Sequence, residues 1–343
     1  MVCALDQRPS SHLNCAVIEG HSWPEHGDPR AQFVGWRHYQ LPQARDESST
    51  SVDICNAWQA TPKPYHLFLI SDELAWSRLP SYIPARQRIA VIKESPIHVG
   101  EADPGIIARQ FSLVLTHLKQ QIDHGPPFVL LTYSSNSLGL RPSQADCNLP
   151  VESEKDRLCS FIGNLSHNAE LLGYQLRREA YHTVCSDSRV DCYGRDTNPI
   201  SNKTTALRRY AFSIAMENAR EDFYFTEKLI DCILMGTIPI YWGCPSIGKF
   251  FDPRGILCFN NVQELKAIIN SLTWPLYQQM RRYAVANFNT LIDERRGDFH
   301  GYLERALDQI KQTSAIQTSP DPHRLSFSSA SRAMAAWRRL RGT

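Results

Sequence analysis

Short apolar runs recur along the chain, and each is bounded by proline, glycine or charged residues. In the first half these runs are HLFLI from His66, RIAVI from Arg88, FSLVLTHL from Phe111 and FVLLTY from Phe128. Their length and their β-branched and aromatic content predict buried strands. In the second half, the strand candidates LCSFIG, VDCYG, AFSIAME, TIPIYWG and ILCF alternate with helical patterns. This alternation predicts an α/β fold with doubly wound parallel sheets.

The chain is long enough for more than one domain. Its 343 residues exceed what a single small core needs. Residues 135–155 are rich in Ser, Pro, Asn and Gly and have no sustained period, so they predict an interdomain link. We therefore expect an N-terminal domain over 1–150, a second domain over 151–275, and C-terminal helices with a basic tail over 276–343.

Composition and charge exclude several classes of protein. Hydrophobic residues make up 42% and charged residues 21%, which is typical of a soluble globular protein, and a net charge of +2 argues against a general nucleic-acid binder. No apolar run approaches the roughly 20 residues that span a bilayer, and MVCALDQRPSSHLNC lacks the apolar core of a signal peptide. The 10 cysteines form no C-x-x-C motif and indicate small buried side chains rather than a zinc site or a disulfide framework. We therefore expect a cytoplasmic protein.

Motifs of several common enzyme classes are missing from the sequence. It contains no G-x-G-x-x-G, Walker loop, H-E-x-x-H or G-x-S-x-G. It also lacks a D-x-D triplet that would hold a divalent ion against a diphosphate, so such a site would have to use cations of the protein. Arg177, Lys203 and Lys228 lie next to predicted strand ends, where a doubly wound sheet binds its ligands.

The segment TEKLIDCILMG combines a helix start with an acid and a base. Thr226 is a natural N-cap, and Glu227 falls in the first turn, where the helix dipole favours an acid. Two interpretations remain open. Either Glu227 and Lys228 only cap the helix, or Lys228 and the exposed N–H groups of the first turn hold a diphosphate and stabilise it as a leaving group.

Other polar residues follow predicted strands. Glu217 and Asn218 end the strand AFSIA and form either a site or an ordinary turn. Tyr224 either stacks on a base or sugar or packs in the interior. Glu94 ends the strand RIAVIK, and Pro96 favours an extended turn there that presents the carboxylate. A lone acid in such a place is either a general base or a plain loop residue.

Residues 190–251, VDCYGRDTNPISNKTTALRRYAFSIAMENAREDFYFTEKLIDCILMGTIPIYWGCPSIGKFF, carry several short motifs in a fixed order. The order is a hydrophobic-Asp-x-aromatic-Gly strand, a Lys before a short helix, Tyr-x-Phe, Glu-Asn, Thr-Glu-Lys and an Ile-Pro strand. In this the chain resembles the α-1,3/4-fucosyltransferases, glycosyltransferase family 10, which use GDP-fucose. Upstream, KESPIHVG is similar to the Glu-Ser-Pro segment of that family.

The resemblance implies a fold and a set of roles. The fold is GT-B, in which two facing Rossmann-like domains enclose a cleft that holds the site. Glu94 becomes the general base of an inverting transfer of fucose to a glycan hydroxyl. Neither metal nor cofactor is implied. The positions that hold the sugar nucleotide are Arg177, Asn218, Tyr224, Glu227 and Lys228, with Lys203 as an addition.

The resemblance also implies partners and a location. The chain is similar to the bacterial type without a membrane anchor, which would modify surface polysaccharide or lipopolysaccharide precursors from the cytoplasmic side. At the C-terminus, Trp337 sits among Arg332, Arg338, Arg339 and Arg341, a pattern that fits either peripheral contact with the inner membrane face or a disordered basic tail. Two alternatives to a fucosyltransferase remain: the same fold with another nucleotide sugar, and a carbohydrate-binding relative without turnover.

Overall fold

The computed structural model describes two compact units. The described residues are 12–21, 33–42, 52–53, 64–65, 67–71, 85–95, 103–144, 147–150, 152–165, 172–195, 197–313 and 323–324. The first unit takes in Met1–Thr116, Gln120–Leu130 and Gln309–Thr343, and the second His117–Lys119 and Leu131–Asp308. Residues 131–150, assigned from the sequence to the N-terminal domain, thus lie in the second unit. The basic C-terminal tail lies outside the described residues.

The first unit is built on a seven-stranded sheet of order β3-β2-β1-β5-β6-β7-β8. Five neighbouring strands, β1, β5, β6, β7 and β8, are parallel to one another. Strand β2 instead pairs antiparallel with both β1 and β3. A short β14 pairs with β4. The bounds are β1 His12–His21, β2 Phe33–Pro42, β3 Val52–Asp53, β4 Pro64–Tyr65, β5 Leu67–Ser71, β6 Arg88–Val91, α1 Pro104–Ala108, β7 Leu113–Thr116, α2 Lys119–His124, β8 Phe128–Leu130 and β14 His323–Arg324.

The second unit has a five-stranded parallel sheet of order β10-β9-β11-β12-β13. Strands and helices alternate along the chain, as in a doubly wound fold. The predicted α/β class is therefore confirmed. The bounds are β9 Arg157–Ile162, α3 Leu172–Val184, β10 Val190–Tyr193, α4 Thr204–Leu207, β11 Tyr210–Met216, α5 Glu227–Leu234, β12 Ile238–Trp242, β13 Leu257–Cys258, α6 Val262–Ser271, α7 Trp274–Asp293 and α8 Phe299–Gln312.

Helices cover both faces of this sheet, which explains its continuous apolar strands. All seven residues of β11 are buried. Phe212 and Ile214 pack on one face in a cluster with residues of α3, α6 and α7, while Ala215 packs on the other in a cluster with residues of α5. A strand buried on both faces cannot show the alternation of a half-exposed one. Polar side chains can instead gather at the ends of the strands.

Sequence signals set the bounds of α5. Thr226 has extended backbone and accepts a hydrogen bond from the Lys228 N–H at 3.5 Å, as an N-cap does. At the other end Gly236 has φ of +60°, a conformation that glycine adopts without strain. The first turn of α5, with Glu227 and Lys228, is thereby fixed at the carboxyl end of the sheet.

Candidate functional site

A cavity of about 280 Å³ lies in the second unit, beside the carboxyl ends of its parallel strands. Its floor includes residues of β11, and its walls come from α3, α4 and α5 and the segments before them. This is where open parallel sheets bind ligands. The charged and amide side chains that line it are Asn164, Arg177, Lys203, Asn218, Glu227, Lys228 and Asp231. Five of these seven were predicted from the sequence as site residues.

Arg177 joins the cavity wall to the end of β11. Its side chain is only 5% exposed, and Nη2 donates to the carbonyls of Met216 (2.8 Å) and Glu217 (3.1 Å) and to Asn218 Oδ1 (2.9 Å). Burial lowers the pKa of Arg177, but arginine starts so high that it stays a cation. The next residue, Arg178, is half-buried. A positive charge is therefore held rigidly at the cavity.

Gly173 allows α3 to come this close. A Cβ atom at this position would collide with the backbone carbonyl of Asn218. Any side chain at Gly173 would push α3 away and move Arg177 with it. The glycine thus serves a close backbone approach rather than a turn.

Lys228 is surrounded by acceptors. Its Nζ lies 3.0 Å from Thr226 Oγ1, 3.0 Å from Glu227 Oε1 and 3.6 Å from Glu217 Oε2. Burial alone would lower the lysine pKa, but the Glu217 and Glu227 carboxylates outweigh it and raise that pKa. Burial opposes the ionisation of Glu227 as well, yet Lys228 and Lys203 hold the pKa of Glu227 at about 2. Glu227 and Lys228 are both charged at neutral pH.

Lys203 is held by a buried acid. Its Nζ lies 3.2 Å from Asp231 Oδ2 and 4.0 Å from Glu227 Oε1. Asp231 is 1% exposed, and its Oδ1 accepts the Ser137 N–H at 2.9 Å. Burial raises the pKa of Asp231 against the opposing effect of Lys203. The segment around Ser137 thus anchors one side of the cavity.

The remaining predicted residues lie elsewhere. Tyr224 is 5% exposed, and its ring centroid lies 5.4 Å from that of His117, so it is packed in the interior of the second unit. Glu94 belongs to the first unit, three residues after the end of β6, and its side chain is exposed, while the neighbouring Ser95 is buried.

Two buried acids were not among the predicted site residues. Glu217 is fully buried and Asp231 nearly so, and each contacts a lysine of the cavity. The sequence did contain signals for both. Glu217 follows the strand AFSIA, and Asp231 lies one helical turn after Glu227 among the apolar residues of the same helix. An acid amid an apolar helix pattern needs a buried cation or hydrogen-bond donors.

The cysteines correct one expectation. Cys185 and Cys192 form a disulfide with Cα atoms 5.7 Å apart, because the tight turn between α3 and β10 brings them together. Cys232 and Cys244 are buried as expected, but Cys258 is exposed. The disulfide removes the cysteine argument for a reducing compartment.

The described residues contain no group of three His, Cys, Asp or Glu side chains arranged to hold a metal ion. Among the helices that the structure describes, none is both long enough and apolar enough to cross a bilayer.

The chain is similar to known proteins, and the family match lies in the second unit. Residues 152–284 match the model of glycosyltransferase family 10 (fucosyltransferase), C-terminal part. An α-(1,3)-fucosyltransferase FucT of Helicobacter pylori is 36% identical over 85 residues, which is 25% of this chain and 17% of that protein. GDP-fucose protein O-fucosyltransferase 3 of Gallus gallus is 33% identical over 163 residues, 47% of this chain and 28% of that protein. The chain thus spans less than a third of the length of these relatives.

A solved structure is also similar. It is an α1,3-fucosyltransferase with GDP, with 18% identity and a TM-score of 0.47 over 74% of this chain and 80% of that one. The family match covers the cavity and all of the cations that line it. The part of the chain that resembles glycosyltransferase family 10, the fucosyltransferase family, is thus the part that carries the cavity.

Proposed function

We propose that the chain is a glycosyltransferase that moves fucose from GDP-fucose to a hydroxyl group of an acceptor. The observation that carries this proposal is the cavity of the second unit, in which Arg177, Lys203 and Lys228 converge within a family 10 domain. The negative charge of a nucleoside diphosphate bound there would lie beside these cations. The names of the relatives support GDP-fucose as the donor, since several of them are fucosyltransferases and others carry GDP-fucose in their names.

The first role of the cavity is to bind and polarise the donor. Lys228 sits in the first turn of α5, so its ammonium and the positive end of the helix dipole act on the same anion. Arg177 adds a fixed positive charge from α3. As the bond between fucose and GDP breaks, negative charge grows on the diphosphate, and pre-positioned cations stabilise that charge most in the transition state. Glu227, ionised beside Lys228, can stabilise the positive charge that develops on the sugar.

The second role is activation of the acceptor, which we assign to Glu94. In an inverting transfer a carboxylate takes the proton from the acceptor oxygen as that oxygen attacks the anomeric carbon opposite the departing GDP. Glu94 follows a buried parallel strand and is exposed to solvent. This role requires the GT-B arrangement of two domains around one cleft.

The acceptor has two candidates. The first is a glycan of a surface polysaccharide or lipopolysaccharide precursor, with an α-1,3 or α-1,4 linkage. The second is a protein hydroxyl, which the similarity to GDP-fucose protein O-fucosyltransferase 3 favours because it extends over 163 residues. Binding to the membrane surface through the basic C-terminal tail would suit a lipid-linked acceptor.

The cations of the cavity supply the charge that a divalent ion supplies in other glycosyltransferases. We therefore propose transfer without a metal, and activity that a chelator leaves unchanged. The diphosphate would be bound jointly by Arg177, Lys203 and Lys228.

The experiment that tests this function combines a donor panel with two acceptor classes. Purified protein is incubated with GDP-fucose, other GDP-sugars and UDP-sugars, against a glycan array and against serine- and threonine-containing peptides, with and without chelator. We expect transfer from GDP-fucose alone. Stabilisation and transfer with a UDP-sugar but not with GDP-fucose would reject the donor, and loss of transfer under chelation would reject the metal-free site.

The Glu94→Gln variant separates an enzyme from a carbohydrate-binding relative. The amide cannot take a proton, so transfer should fall by roughly 10²- to 10⁴-fold while GDP-fucose binding stays within about twofold. Binding is measured by calorimetry on the same preparation, which controls for folding. Unchanged transfer would remove Glu94 from the mechanism.

A further inference from the structure

Glu217 is a buried carboxylate that the proposed mechanism does not use. It lies directly after β11, is 0% exposed, and accepts two hydrogen bonds from Thr226, from N–H to Oε1 (2.8 Å) and from O–H to Oε2 (2.6 Å). Thr226 Oγ1 accepts in turn from Lys228 Nζ at 3.0 Å, so its single proton points to Glu217. Both oxygens of Glu217 accept hydrogen bonds and Lys228 lies 3.6 Å away, an arrangement that favours the ionised carboxylate.

Four charged or titratable groups face Glu217. Lys228 lies 3.6 Å away on α5, and Glu227 on the same helix shares that lysine at 3.0 Å. From α3, Arg177 donates to the Glu217 carbonyl at 3.1 Å. From β12, Tyr241 packs beside the acid, since its Oη and Glu217 Cγ both border the space above Gly243. Lys228 thus has two carboxylates of the protein before any ligand arrives.

The charges of the cavity are balanced without a ligand. Three cations, Arg177, Lys203 and Lys228, stand against Glu217, Glu227 and Asp231. A nucleotide sugar adds two negative charges to this neutral set. Glu217 is held in place beside the added charge, because Thr226 donates to both of its carboxylate oxygens.

We infer that Glu217 is an internal counter-charge that takes up a proton when a nucleotide sugar binds to Lys228, and that it thereby weakens diphosphate binding as the pH rises. The inference rests on the proposed function. Glu217 acts through Lys228 and is a positioning residue, not a catalytic one.

The direction of the effect follows from linkage. Burial already raises the pKa of Glu217, while Lys228 and the Thr226 donors oppose that rise. A bound anion interacts with Lys228 as well and repels the Glu217 carboxylate. The pKa of Glu217 therefore rises further in the complex. Between the free and the bound pKa the complex holds one more proton than the free protein, and affinity therefore falls as the pH increases.

The test is a calorimetric titration of GDP-fucose without acceptor. The phosphates of GDP-fucose are esterified and carry no proton that titrates near neutrality, so proton uptake reports on the protein. Titrations run from about pH 6 to about pH 8.5, in buffers of different ionisation enthalpy. The variant is Glu217→Gln, whose amide can still accept from the Thr226 N–H and donate to its hydroxyl oxygen. The control is Glu179→Gln, the same change on an exposed position of α3.

We expect the wild type and Glu179→Gln to take up protons and to lose affinity as the pH rises. Glu217→Gln should take up none, show a flatter pH profile, and bind about tenfold more tightly than the wild type at high pH because the repulsion is gone. A merely structural role would weaken binding at every pH and leave the slope unchanged.

Equal pH profiles for Glu217→Gln and the wild type, or weaker binding by the variant at high pH, would overturn the inference. If Glu217→Gln does not fold, the wild-type titration still tests the inference, because GDP-fucose binding without proton uptake contradicts it. Binding of that kind would leave the proposed function standing. Failure of the wild type to bind GDP-fucose at any pH would instead reject the proposed function and this inference with it.

Discussion

Arg177 binds the end of β11 and faces the cavity with the same guanidinium. Three acceptors at 2.8–3.1 Å fix it in place, so little side-chain freedom is left to lose when an anion arrives. Lysine lacks the planar guanidinium whose Nη2 makes all three contacts. At the scale of single residues, the site therefore depends on geometry as much as on charge.

The first prediction is a weaker nucleotide complex for Arg177→Lys. The variant keeps the positive charge but loses the hydrogen bonds that hold the side chain in place. We expect its affinity for GDP to fall by about tenfold. The matched control is Arg178→Lys, the same change on the adjacent half-buried residue, which should bind GDP like the wild type. Calorimetric titration measures both. An equal loss in the two variants, or a loss only at Arg178, would contradict the assignment.

The sequence predicted some residues of the site and missed others. The resemblance to family 10 and positions beside predicted strand ends or a helix start together pointed to five residues that gather at one cavity, Arg177, Lys203, Asn218, Glu227 and Lys228. The roles of Glu217 and Asp231 could not be predicted, because an acid at a strand end or on a helix gives no sign of which cation it will meet. That depends on the packing of α4 and α5, which the sequence pattern does not specify.

At the scale of elements, Lys155 joins α4, α5 and β12. Its side chain is 7% exposed, and Nζ donates to the Met235 carbonyl (2.7 Å), Thr237 Oγ1 (2.9 Å) and the Leu207 carbonyl (3.3 Å). Burial lowers the pKa of Lys155 to about 7. The ends of two helices and the start of a strand thus depend on one amine that titrates near neutrality.

The second prediction concerns stability and pH. The unfolded chain keeps the Lys155 proton up to its ordinary pKa, whereas the folded chain loses it near pH 7, so stability rises with pH between the two values. From about pH 7 to about pH 9 the wild type should gain about 1–2 kcal/mol relative to Lys155→Met. Urea unfolding at each pH measures the difference. Parallel pH dependence of the two proteins would contradict a lowered lysine pKa.

The third prediction concerns the link between α3 and β10. The Cys185–Cys192 disulfide closes a short loop, with a sequence separation of 7, so its removal should cost about 2 kcal/mol of unfolding free energy. Thermal unfolding with and without reductant measures this, and Cys192→Ser is the control that should no longer respond to reductant. A wild type that is insensitive to reductant would show that the bond does not stabilise this part of the fold.

The strands and helices of the second unit were largely predictable. Thr226, Asn261 and Thr273 each accept a backbone N–H at the start of a helix, the local chemistry that the sequence signals reflect. In the first unit the antiparallel pairing of β2 was not predicted, because its sequence FVGWRHYQLP mixes polar and apolar residues without a clean period. The disulfide was missed because two cysteines seven residues apart match no motif.

At the scale of the whole molecule, the claim is that one unit binds the donor while the other supplies the base. The donor half of this claim has the stronger support, since the cavity, its three cations and the family match all fall within residues 152–284. A near-neutral chain with positive charge at one cavity fits selective binding of a small anion better than binding of a polyanion.

The most direct test of the central claim is the binding of GDP-fucose to the wild type, to Lys228→Ala and to Lys266→Ala, which removes an exposed lysine of α6 as the control. The account predicts binding by the wild type and by Lys266→Ala, and affinity lower by about 10- to 100-fold in Lys228→Ala, because the ammonium nearest the α5 N-terminus is lost. Equal affinity in all three proteins would contradict the claim that this cavity holds the donor.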